Sequence, residues 1–196
     1  MSGRRRFKEA DKTEKINRAA VVSLDGYFEG PDHSIDWHRV DQEYNDYAAA
    51  LLRSADAILF GRVTYELMAG YWPTPEAIAN DPVIAELMNA HRKIVFSKTL
   101  KRADWHNTTI VKANILEEIR KLKQEPGKDL VVLGSGTLVA ELTKIGLIDQ
   151  YQLMVNPVVL GHGTPLFQGL ENRVNLELEQ CKAFSSGNVL FCYRRT

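Results

Sequence analysis

The order of elements predicts an α/β fold: a three-layer domain with a central mixed, mostly parallel sheet and helices on both faces. Three observations carry this. Short apolar segments alternate with helix-periodic segments from residue 18 to residue 146, as in parallel sheets wound with helices. Three long β-type segments then close the chain without intervening helices. The last two flank Ser185-Ser186-Gly187-Asn188, a turn sequence that predicts an antiparallel hairpin at one sheet edge.

Residues 18–24 (RAAVVSL) form the first predicted strand, ended by Asp25-Gly26, and residues 26–40 are loop. A helix follows over 41–53, with Tyr44, Tyr47, Ala48, Leu51 and Leu52 on one stripe. Residues 57–60 are a strand stopped by Gly61, and 63–69 a helix ended by Gly70 and the breakers Pro73 and Pro75. Pro82 suits the first turn of a helix over 82–90. Strands follow over 93–97 and 108–112. Asn114 with Glu117 reads as a capping box for a helix buried through Ile115, Ile119 and Leu122. A buried strand over 130–133 leads to a helix over 137–145, and the closing β segments span 150–159, 174–182 and 188–194.

Composition narrows the function classes. At 44% hydrophobic and 26% charged residues, the 196-residue chain is that of a globular domain. A net charge of zero predicts neither a nucleic-acid nor a membrane partner. No apolar run approaches the roughly 18–20 residues of a bilayer span. Cys181 and Cys192 make no disulfide framework, and the start of the chain has no secretory pattern, so a cytoplasmic protein is expected. Residues 1–17, which include Arg4, Arg5 and Arg6, read as a disordered basic tail, and 18–196 as one domain. His33, His38, His106 and His162 form no metal-ligand spacing, and no metal is expected.

Three strand ends carry anion-binding groups. In residues 130–138 (LVVLGSGTL) a strand runs through a glycine-rich turn into a helix, where free N–H groups and the helix dipole favour a phosphate. A tight turn with glycines for packing is the other reading. Val139 stands where the dinucleotide fingerprint needs its third glycine, which disfavours a standard Rossmann motif. In Phe60-Gly61-Arg62-Val63-Thr64 a cation sits at a helix start, which an anion would neutralise. Ser97-Lys98 ends a third strand with a hydroxyl and an ammonium. Ligands of open α/β sheets lie at such strand ends, and a dinucleotide has the phosphates to use all three.

Over nearly the whole chain beyond the tail, the sequence resembles the dihydrofolate-reductase-like family. It is most similar to the C-terminal reductase domain of the riboflavin-biosynthesis deaminase/reductase in its stand-alone bacterial form. The resemblance rests on Val22-Ser23-Leu24-Asp25-Gly26, Leu59-Phe60-Gly61-Arg62-Val63-Thr64-Tyr65-Glu66, Val95-Phe96-Ser97-Lys98, Leu133-Gly134-Ser135-Gly136-Thr137-Leu138, and Asn156-Pro157-Val158-Val159-Leu160-Gly161 before Pro165-Leu166-Phe167.

The resemblance implies an NADPH-dependent reductase of a small heterocyclic substrate, of the 5-amino-6-(5-phosphoribosylamino)uracil type. Gly61, Arg62 and Thr64 would hold the pyrophosphate or also the adenosine 2′-phosphate, and Ser97 and Lys98 the 2′-phosphate. Gly134, Ser135, Gly136, Thr137 and Leu138 would hold the pyrophosphate and nicotinamide ribose, with Val22 and Leu24 beside the nicotinamide. Asp25 is a candidate for substrate binding or catalysis, or belongs only to the turn. Glu43 is the candidate carboxylate on the following helix, whose acidic first turn has a solvated reading as well. Tyr27, Trp37 and Tyr47 are candidate substrate contacts. A homodimer is also implied. A dihydrofolate or pterin reductase and a non-catalytic nucleotide-binding protein are the rival readings. The zinc signature of the deaminase partner, H-x-E with P-C-x-x-C, does not occur in the chain.

Overall fold

The computed structural model describes residues 14–196. Ten strands run in chain order: β1 (Ile16–Ser23), β2 (Tyr27–Glu29), β3 (Ala55–Gly61), β4 (Arg92–Phe96), β5 (Thr108–Val111), β6 (Asp129–Leu133), β7 (Gln150–Asn156), β8 (Thr164–Pro165), β9 (Leu176–Ala183) and β10 (Val189–Arg195). The helices are α1 (Gln42–Arg53), α2 (Arg62–Tyr71), α3 (Pro75–Asn80), α4 (Pro82–Ala90), α5 (Ile115–Gln124) and α6 (Gly136–Lys144).

Eight strands form one sheet in the order β5-β4-β3-β6-β1-β7-β10-β9. The pairs from β5 through to β7 are parallel, and β10 and β9 add an antiparallel edge. The mixed, mostly parallel sheet between helical layers is the architecture expected. Both faces are buried because apolar residues occupy both parities of the central strands. Ile58, Phe60 and Val95 pack against α1, α2 and α4 through Leu52, Tyr65 and Met88. Ala57, Leu59, Leu130 and Val132 face α5 and α6 through Ile119, Leu122, Val139 and Leu142.

Several expectations are revised. The strand begins at Ile16, not Arg18: Ile16 is fully buried, and Asn17 donates to Asp129 at 3.1 Å. The order thus reaches back to Glu14, and the rest of the expected tail, with Arg4, Arg5 and Arg6, lies outside the described residues. Pro75 starts α3 rather than breaking a helix, with Thr74 accepting from the Ala77 N–H. No capping box forms at Asn114, whose left-handed backbone (φ 54°) is not the extended conformation a side-chain N-cap needs. The loop over 26–40 contains β2, which pairs with β8. β7 stops at Asn156 because Pro157 has no N–H for the ladder.

Candidate functional site at the strand ends

In sheet order, the carboxyl ends of β4, β3, β6, β1 and β7 stand side by side. The Ser97, Gly61, Gly134 and Ser23 termini, which the sequence scatters from position 23 to position 134, therefore form one row. Gly61 pairs with Phe96 at the end of the β3–β4 register. β3 leads directly into α2, and β6 reaches α6 through Gly134 and Ser135. The Ser135 N–H donates to the Thr64 hydroxyl at 2.9 Å and ties the two helix starts together.

This junction explains both glycines. A Cβ on Gly61 would lie 1.9 Å from Ser135 Oγ, and one on Gly134 2.4 Å from Thr64 Cγ2. Gly134 also has φ +63°. Ser135 itself is left-handed (φ 59°). Neither α2 nor α6 has a side-chain cap, and neither carries an acid in its first turn. Two unsatisfied sets of N–H donors, each at the positive end of a helix, thus meet in the β3–β6 crevice. Gly136 lies against the ring of Phe28, 3.1 Å from the nearest ring carbon for an added Cβ, so the β1–α1 loop walls the crevice.

The cationic groups stand at its rim. Arg62 is exposed and pairs with Glu66 one turn on at 2.7 Å, so the chain itself neutralises the charge that was expected to need an anion. Lys98 is exposed and makes no ion pair among the described residues. The Ser97 hydroxyl accepts from the N–H groups of Thr99 (3.2 Å) and Leu100 (2.9 Å), shaping the turn and leaving its proton to donate. Thr137 is exposed and Leu138 buried, so only the former side chain faces outward in the first turn of α6.

On the β1 side, Val22 is buried and Leu24 is 66% exposed at the mouth. Asp25 accepts from the N–H groups of Leu160 (3.1 Å) and Gly161 (2.8 Å) and fastens the loop after β7 over the row. The Ser23 hydroxyl and these two N–H groups hold its carboxyl below the usual range. A carboxylate so held favours its ionised form and braces the loop. Tyr27 donates its N–H to Ser23 Oγ at 3.0 Å, and Trp37 donates to the Ser34 carbonyl at 3.2 Å and meets His38 edge-on. Both are half-buried in the wall above β1.

Glu43 and Tyr47 do not join the row. Glu43 turns to the β9–β10 hairpin, accepting from the Ser185 N–H at 2.9 Å and pairing with Lys182 at 3.2 Å, and these contacts depress its pKa. Tyr47 packs beside Phe184 and donates to Gln152 at 2.9 Å. Both line a separate groove of about 400 Å³ between α1 and β7, β9 and β10. The amphipathic stripe of α1 faces the sheet here, which puts Tyr47 into packing and Glu43 at an anchor point. Reasoning from the sequence missed the Thr64–Ser135 tie and the Asp25 brace, because each joins segments more than 70 residues apart. Among the described residues no three His, Cys, Asp or Glu side chains gather to hold a metal. None of the described helices is long and apolar enough to cross a membrane.

Comparison with known proteins agrees with this architecture. Residues 14–190 match the model of the RibD C-terminal domain. The chain is 35% identical to the uncharacterized protein YyaP of Bacillus subtilis (strain 168) over 93% of its own length and 95% of that protein. It is 31% identical to the uncharacterized protein YwjB of the same strain, over 89% and 94% respectively. The chain belongs to the RibD C-terminal domain family, a family of reductase domains.

Among solved structures, a putative riboflavin biosynthesis protein from Shewanella sp. PV-4 superposes with TM-score 0.74 at 22% identity, over 93% of this chain and 99% of that one. A deaminase/5-amino-6-(5-phosphoribosylamino)uracil reductase from Thermotoga maritima gives TM-score 0.68 at 15% identity, over 94% and 57%. Dihydrofolate reductase from Enterococcus faecalis, complexed with NADP(H), gives 0.63 at 16%, over 93% and 96%. The fold is thus dihydrofolate-reductase-like.

Proposed function

We propose that the protein is an NADPH-dependent reductase of a small heterocyclic substrate, of the type represented by 5-amino-6-(5-phosphoribosylamino)uracil. The observation that carries this reading is the β3–β6 crevice, where two uncapped helix starts meet at hydrogen-bond distance. Backbone donors and dipoles so paired suit a pyrophosphate. Family membership, and likeness to the Thermotoga reductase and to the Enterococcus enzyme complexed with NADP(H), support the same reading.

The donor set fits the cofactor. The first-turn N–H groups of α2 and α6 would take the pyrophosphate, with the Thr64 and Thr137 hydroxyls beside them. Lys98 and the Ser97 proton would take a 2′-phosphate at the end of β4, with Arg62 swinging from Glu66 to the more highly charged group. When bound, NADPH supplies the hydride. Val22 and Leu24 would offer an apolar surface to the nicotinamide, and Phe28 and the loop braced by Asp25 would exclude water from it. Trp37 and Tyr27, half-buried in the loop after β1, would contact a substrate of the phosphoribosyl-pyrimidine class. The carboxylate beside the nicotinamide that a pterin reductase would use is not supplied by Glu43 or by the exposed Asp46, which accepts from Gln42.

The test is turnover. Purified protein with NADPH and ribosylaminopyrimidine phosphate should lose reduced-nicotinamide absorbance, and dihydropterin should give little change. Preference for the pterin would transfer the reading to that class. NADPH binding with no turnover on either would make the chain a nucleotide-binding protein.

A further inference from the structure

Arg39 lies in the loop that leads into α1, and the chain holds its backbone from both sides. Its N–H donates to Asn156 Oδ1 at 2.7 Å, and its carbonyl accepts from Asn188 Nδ2 at 2.9 Å. Both asparagines are buried, Asn156 at the end of β7 and Asn188 directly before β10. Two buried amides directed at one exposed residue fix the place from which its side chain extends. The guanidinium lies along the turn of the β9–β10 hairpin. Nη1 donates to the Ser186 carbonyl at 2.8 Å, and a Cβ on Gly187 would stand 3.7 Å from it. We propose that Arg39 binds the phosphate monoester of the substrate and selects for a phosphorylated substrate, an inference that rests on the reductase reading above.

Charge points to an anion. Arg39 makes no ion pair among the described residues. Glu43 touches the same turn at Ser185 but is paired with Lys182 at 3.2 Å, so the turn keeps the Arg39 charge. Two further groups beside it have protons to donate. Ser186 Oγ and Asn156 Nδ2 are buried without a hydrogen-bond partner among the described residues. A guanidinium fork with a hydroxyl and an amide beside it suits the several acceptor oxygens of a phosphate monoester. A sugar hydroxyl would leave the charge unmatched.

Position agrees with the shape of such a substrate. Asn156 pairs with Ser23, the last residue of β1. Arg39 is thus fixed one strand, roughly 5 Å, beyond the β1 end where Val22 and Leu24 would meet the nicotinamide. A ring reduced against β1 would extend its pentose across that interval and bring the phosphate to the end of β7. The glycine turn after β6 is a further strand away, so the phosphates of substrate and cofactor would be held apart.

Ribose 5-phosphate is the probe. Titrated into the isotope-labelled full chain without nucleotide, it should move the backbone amide signals of Ser186 and Gly187, and ribose should not. Arg39→Gln leaves both asparagine contacts to the backbone in place, and circular dichroism should show it folded. It should weaken the binding read at those signals fivefold or more. Lys98→Ala should leave that binding within twofold, because its side chain stands at the end of β4. No response at the turn in the unmodified chain overturns the proposal. So does a binding that Arg39→Gln weakens by less than fivefold, or that Lys98→Ala weakens as much. The titration needs neither NADPH nor turnover. A chain that takes ribose 5-phosphate through Arg39 but binds no NADPH keeps this site and loses the reductase reading. Turnover with NADPH and no response at the turn does the reverse.

Discussion

Gly134 carries two demands at once: a left-handed backbone, and a neighbour, Thr64, where its side chain would be. Gly134→Ala should cost about 1–3 kcal/mol from the backbone conformation alone, before the contact is relieved. Moving Thr64 would also part the α2 and α6 starts, so nucleotide affinity should fall further than the melting temperature suggests. Calorimetry beside a nucleotide titration checks both. Asp25 makes a different prediction. As a brace it should tolerate Asp25→Asn, which keeps one acceptor oxygen for the N–H groups of Leu160 and Gly161. Hydrogen exchange over residues 157–163 should rise, while the pH profile of turnover keeps its shape. A proton donor at this position would instead lose turnover and change the profile.

At the scale of elements, α4 is tied to β4 by a buried cation. Lys93, fully buried, donates to the carbonyls of Met88, Asn89 and His91 and lies 4.4 Å over the Trp105 ring. The ammonium thus satisfies the carbonyls at the end of α4. Burial lowers its pKa to about 8, from an ordinary value of 10.5. The folded state therefore binds fewer protons than the unfolded one above pH 8, and this group makes stability rise between pH 8 and 10. Lys93→Met should abolish that rise and lower the melting temperature at pH 7 by a few degrees, since the three carbonyls lose their donor. Melting curves across that range test it, below the region where Tyr44, raised to about 12, begins to oppose the trend.

The same elements show what a sequence reveals. The central strands were legible because runs such as residues 130–133 are apolar at every position, and α4 because Pro82 and the apolar stripe agree. α3 was hidden because Pro75 reads equally as a helix start and a breaker, and β2 and β8 because pairing alone defines them. The full burial of Lys93 and Arg18 has no sequence signal: both residue types are ordinarily exposed, and only the sheet order encloses them. Of the site, the glycine-turn ends were legible as local motifs. Their adjacency was not, because it depends on β3 and β6 being neighbours.

Across the whole molecule, acid should loosen the roof over the strand ends first. His38 is largely buried, and its pKa falls to about 4 from an ordinary 6.5. The neutral form is favoured in the folded state, so its contribution is full above pH 6.5 and is lost as pH falls toward 4. The nearby acid Asp36 opposes this only in part. The Asp25 and Glu43 carboxylates, both depressed, add losses lower in the range, with the same sign. His38→Asn should remove the part of the acid transition between pH 6.5 and 4 and leave the lower part in place, as read by denaturant midpoints over that range.

The central claim is that the β4–β3–β6 strand ends hold a phosphorylated dinucleotide. Fluorescence titration of the full chain with NADPH and with NADH, repeated for Lys98→Ala, addresses it directly. NADPH should bind at least tenfold more tightly than NADH. Lys98→Ala should erase most of that difference, a loss of about 1.5–3 kcal/mol for one charge-assisted contact. Equal affinity for the two nucleotides, or binding of neither, would contradict it.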